Sequence, residues 1–129
     1  MLSSLALTVS CLSAVTLLAP TPALMDRGSD STVAYNRSRI RIGGSDWGER
    51  PPVVGMFHEM SHSYDAGAGI LDDRLFNYDG TRAESGGVKA AELQAVGLGE
   101  VTDQVQMNPE GISENDLRAA LDLVRRNRY

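Results

Sequence analysis

Cysteine is almost absent from this 129-residue chain: Cys11 stands alone, which excludes an intrachain disulfide framework and any zinc site built from several thiolates. A metal, if there is one, must be held by His, Asp or Glu. A basic tract is missing too, since 17 Asp plus Glu outweigh 12 Lys plus Arg for a formal net charge of −5. Nucleic acid and anionic membrane surfaces both need clustered Lys or Arg, so neither is expected as the main partner. The chain has no internal repeat and no low-complexity tract. With 42% hydrophobic and 22% charged residues, its composition is that of one small globular domain.

Charge is also missing from residues 1–25. Leu5, Leu7, Val9, Leu12, Val15, Leu17 and Leu18 make this stretch apolar, but interleaved Ser and Thr make it too polar for a stable membrane span. An apolar run ending near Ala19, followed by Thr21-Pro22-Ala23, resembles a secretory signal without its basic start. The segment 1–24 therefore reads either as an export signal or as a core helix, and 25–129 as the functional domain.

From Met25 onward turn residues alternate with short structured stretches. Thr32 to Tyr35 and Arg39 to Ile42 have β character and predict a small edge hairpin, one strand of which a substrate could extend. Pro51 and Pro52 suit the first turn of a helix, predicted from Pro52 to about Ala66 and ended by Gly67 and Gly69. Residues 70–87 read as a polar connection. A second helix is predicted from Val88 to Val96, stopped by Gly97. In the last segment Ser113 can cap a helix with Asp116 at its third position, and Leu117, Ala120, Leu121 and Val124 form its apolar stripe. The expected fold class is α+β: a minimal zincin-like domain with a small edge sheet packed on the first helix, a Glu-bearing helix and a C-terminal helix.

The chemistry resides in His58-Glu59-Met60-Ser61-His62, the pattern H-E-x-x-H, which contains the only two histidines of the chain. Two histidines at this spacing with Glu after the first arise by chance in roughly one chain in a thousand. One helical turn apart, they present two imidazoles to one metal, while Glu59 flanks the metal as a candidate catalytic acid/base. On the helical wheel Val53, Met56, Phe57, Met60 and Tyr64 share the side opposite the histidines, so the competing reading is a solvated polar face.

Catalytic zinc needs a third protein ligand. An extended metzincin motif would place it at position 68, which is Ala68, so that motif is excluded. Glu92 is the leading candidate: it shares a helical face with Val88, Ala91, Ala95 and Val96, where a carboxylate is costly unless a cation pairs with it, and small Ala91 and Ala95 permit close helix approach. Asp65 and Glu84 compete as ligands, and Asp65 also fits a hydrogen-bond acceptor behind His62. Tyr78, Tyr35 and Arg82 are the candidate donors to a developing oxyanion.

Taken together, these stretches resemble the NleD-like zinc metalloproteases, bacterial type III effectors. The resemblance is carried by Gly28 to Asn36, by Pro52 to Tyr64 around the histidine motif, by Ala91 to Leu98, by Ile112 to Arg118 and by Arg125 to Tyr129. It implies a secreted, Zn²⁺-dependent endopeptidase delivered into a host cell, with a mitogen-activated protein kinase as substrate; the chain is separately expected to be a monomer. His58, His62 and Glu92 would be the ligands and Glu59 the catalytic residue. The rival readings are a zinc-stabilised binding module without catalysis and an inactive effector remnant.

Overall fold

The computed structural model describes residues 28–129, so the apolar segment 1–24 and its cleavage motif lie outside the described residues. Helix α1 spans Pro52–Ala68 with proline at its first position, where a backbone N–H is not needed. It runs through Gly67, past the predicted end, because Gly69 is the residue that adopts the left-handed conformation (φ 73°) and returns its N–H to the last turn.

The connection after α1 is not structureless. Strand β1, Leu75–Phe76, pairs antiparallel with β2, Val88–Lys89, in the register Leu75 to Lys89 and Phe76 to Val88. The predicted second helix thus loses its first two residues to the sheet, and α2 spans Ala90–Val96. Branched Val88 suits an extended backbone packed on Phe76 better than a helix start.

The expected edge hairpin at 32–42 is corrected: neither Thr32 to Tyr35 nor Arg39 to Ile42 is a strand, and Arg41 makes one isolated antiparallel bridge with Glu49 around a 3-10 turn at Asp46–Gly48. The sheet lies later in the chain and packs on α2 rather than α1.

Helix α3, Glu114–Ala120, is capped as predicted, the Ser113 side chain accepting from the Asp116 N–H. At the end of α2, Gly97 (φ 85°) brings the backbone so close to this cap that a Cβ would sit 2.6 Å from Ser113 Oγ. That contact ties α2 to the start of α3, and α1 packs against both helices.

An apolar cluster of Phe76, Val88, Ala90, Leu93, Val96, Leu98 and Val105 fills the space between sheet and α2. Ala66, Leu71 and Ala91 form a second cluster, where small Ala91 allows α1 and α2 to approach closely. The architecture is a small α+β domain compatible with a minimal zincin-like fold.

Both outer helices depart from the usual amphipathic rule. In α1 the buried side includes His58, Ser61, His62 and Asp65, while Val53, Met60 and Tyr64 are exposed. In α3 the buried side is Glu114, Asn115 and Arg118, whereas Leu121 and Val124 of the predicted stripe lie open. The reading of His58 and His62 as a solvated face is thereby overturned, each being 3% exposed.

Candidate metal centre

Helical geometry sets His58 and His62 one turn apart on α1, and their rings meet edge to face with centroids 4.9 Å apart. Packing of α2 on α1 brings Glu92 over both. Its Oε2 lies 3.1 Å from His58 Nε2 and 3.3 Å from His62 Nε2. One donor atom from each of His58, His62 and Glu92 falls within 4.8 Å of the others, a spacing that one metal ion can bridge.

The other side of His58 meets α3, where Glu114 Oε2 lies 2.9 Å from Nδ1. Glu114 is fully buried and also accepts from Arg118 Nε at 2.7 Å and Arg126 Nη1 at 3.1 Å. Burial alone would raise its pKa, but His58, Arg126 and Arg118 outweigh burial and hold it at about 2. Ionised Glu114 can only accept, so His58 Nδ1 carries the hydrogen and donates it.

This arrangement tests the fit of a metal. His58 faces a carboxylate at each nitrogen, and a neutral imidazole has only one N–H to offer. Without a cation in the cluster the ring must become charged: burial opposes the charge, yet Glu114 and Glu92 lift its pKa to about 9. Glu92 is likewise held well below the usual carboxylate range, with burial opposing and the two imidazoles prevailing. A divalent ion among Nε2 of His58, Nε2 of His62 and Glu92 would satisfy the lone pairs of both neutral rings and the carboxylate together. The donor set fits.

Asp65 and Glu84, the competing ligands, are not brought into the cluster. Glu84 is exposed on the loop before β2. Asp65 is fully buried one turn after His62, and burial pushes its pKa up to about 7 against the pull of His62, the nearby Asn108 side chain and His58. Neither Asp65 carboxylate oxygen nor His62 Nδ1 has a hydrogen-bond partner.

Glu59 stands outside the converging trio. It lines a cleft of about 280 Å³ together with His58, and its Oε1 is 3.9 Å from Arg50 Nη2. Of the expected oxyanion donors, Tyr78 is exposed and donates to the Tyr129 carbonyl, and Arg82 lies over the Phe76 ring. Tyr35 is half-buried before the bridge at Arg41.

A family described as effector protein, peptidase M91, matches residues 15–129. The chain belongs to this NleD-like family. Comparison with curated proteins and with solved structures gives no match. As an NleD-like protein the chain is a protease-type effector with a protein substrate, and its His58, His62 and Glu92 group could bind a metal ion. No helix among the described residues is long and apolar enough to cross a membrane.

Sequence reasoning on this NleD-like chain missed several residues at the centre. Glu114 was not singled out, although its i,i+4 spacing to Arg118 is a pairing signal. Tyr129 stacks on His58 at 6.4 Å, and burial together with neighbouring Glu92 raises its pKa. Arg126 packs over the rings of Trp47 and Tyr129 at 5.2 and 5.0 Å. Only the resemblance of the stretch Arg125 to Tyr129 marked that end of the chain.

Proposed function

We propose that this chain is a zinc-dependent endopeptidase in which His58, His62 and Glu92 hold Zn²⁺ and Glu59 is the catalytic acid/base. The observation that carries the reading is the convergence of both Nε2 atoms on one Glu92 oxygen, with Glu114 securing His58 from behind. With zinc bound, the site has a Lewis acid able to activate water and polarise a carbonyl at neutral pH.

The chain's own residues supply the rest. Glu59, at the wall of the cleft, takes a proton from the attacking water and returns it to the leaving amine. Glu114 holds His58 in the tautomer that leaves Nε2 free for the metal. The domain is residues 25–129, acts as a monomer and reaches a host cell by secretion. The family resemblance supports a host mitogen-activated protein kinase as substrate.

The test is hydrolysis of a degenerate peptide library by chain stripped with chelator and reloaded with zinc. Cleavage that disappears on stripping and returns with zinc supports the reading. Stoichiometric zinc without any cleavage overturns it in favour of a non-catalytic binding module.

A further inference from the structure

The cleft beside His58 and Glu59 carries more positive charge than the catalytic chemistry needs. Its walls include Arg39, Arg50 and Arg126 along with Trp47 and Tyr129. Arg50 is nearly enclosed, its side chain 11% exposed. Its guanidinium lies against the α1 backbone at Gly55, where a Cβ would sit 3.5 Å from the central carbon, one turn before Glu59. Burial first, and then Arg126 and Arg39 nearby, disfavour the charged form of Arg50, while Glu114 and Glu59 support it.

The acceptors do not balance these donors. Glu114 is already bonded to His58, Arg118 and Arg126. Glu59 is 3.9 Å from Arg50, too far for a hydrogen bond, and as the acid/base its carboxylate must meet water. Nε of Arg50 and Nε of Arg126 are both buried without a partner. A buried guanidinium with free N–H groups is costly unless an anion reaches it, and a planar fork suits carboxylate or phosphate oxygens.

We infer that this cleft is a specificity subsite for an anionic side chain, carboxylate or phosphorylated hydroxyl, on a substrate residue flanking the scissile bond. The inference rests on the peptidase reading, since His58 and Glu59 share the cleft and so place the subsite next to the cleaved bond. Trp47, 8% exposed, and Tyr129 give the same side chain an aromatic wall.

The experiment uses the zinc-loaded chain and peptides selected as cleavable from the degenerate library, resynthesised with Glu, phosphothreonine or Gln at each position beside the scissile bond. At one such position kcat/KM should favour Glu or phosphothreonine over Gln by about tenfold or more, the scale of a charge-assisted hydrogen bond. The two anionic arms tell carboxylate from phosphate. Arg39 is exposed on the cleft wall, so Arg39→Glu should shrink the ratio of kcat/KM for the anionic peptides to that for the Gln peptide at least severalfold, and Arg39→Lys should retain it. Equal kcat/KM for all three peptides at every position would overturn the inference.

Failure of hydrolysis altogether is separable from failure of the subsite. Trp47 is the only tryptophan, so fluorescence of the Glu59→Gln variant reports cleft occupancy without turnover. In that titration degenerate peptide pools fixed with Glu or phosphothreonine at one position, which need no prior cleavage, should bind about tenfold tighter than the pool fixed with Gln. Tighter anion binding without hydrolysis would sink the peptidase reading alone, and equal binding would sink the subsite.

Discussion

Glu114 Oε2 lies 2.9 Å from His58 Nδ1, joining residues 56 positions apart in the chain and pinning the ring that Glu92 meets from the other side. The contact links the stability of the fold to the readiness of the metal site. Glu114 is also the only carboxylate bonded to both Arg118 and Arg126 among the described residues.

Replacing Glu114 with Gln should therefore act twice. Zinc affinity should fall roughly 10- to 100-fold, as when the partner of a metal-bound histidine is lost. Stability should fall by about 3 kcal/mol, because two buried guanidiniums lose their counter-charge. Competition with a chelator and urea unfolding measure the two effects. Unchanged values in both would show that the His58–Glu114 contact does no work.

The third ligand can be settled by stoichiometry. Wild-type chain, Asp65→Ala and Glu84→Ala should each retain zinc at one ion per chain, whereas Glu92→Ala should lose it at the same free-zinc concentration. Metal analysis after gel filtration reads this directly. Retention by Glu92→Ala with loss by Asp65→Ala would reassign the site.

Glu59→Gln should bind zinc like the wild type and lose about 10²- to 10⁴-fold in kcat, the usual share of a positioned acid/base. Progress curves on a cleavable peptide provide the measurement. Wild-type turnover by this variant would remove Glu59 from the mechanism.

Acid should expose the buried network in the zinc-free chain. Glu114 takes up its proton near 4.5 when unfolded but only at about 2 when folded, so the unfolded chain binds more protons between these values. Its stabilising contribution is complete above about pH 4.5 and is lost as the pH falls toward 2. Denaturant midpoints across this range should decline for the wild type and decline less for Glu114→Gln. Parallel declines would contradict the low pKa of Glu114.

Much of the site could be read from local pattern, because its first elements are local. The spacing of His58 and His62 implies one helical face, proline and glycine bound that helix, and the Ser113 cap follows from side-chain chemistry within one turn. Glu92 was reachable by a slightly longer argument, a carboxylate out of place in an apolar stripe. The short sheet was not legible: two-residue strands such as Leu75–Phe76 have too few positions to show a period, and their pairing is decided across a loop.

The amino-acid order by itself determined which side chains share a turn of helix, and thus that two imidazoles and a flanking carboxylate travel together. Only tertiary packing decided which way those faces turn. Amphipathic logic places charge in water and would have left His58, Glu114 and Arg118 outside. Instead they are buried against one another, because partners from α1, α3 and the Arg126 segment meet there, and such mutual satisfaction depends on contacts between distant residues that no periodicity within one segment encodes.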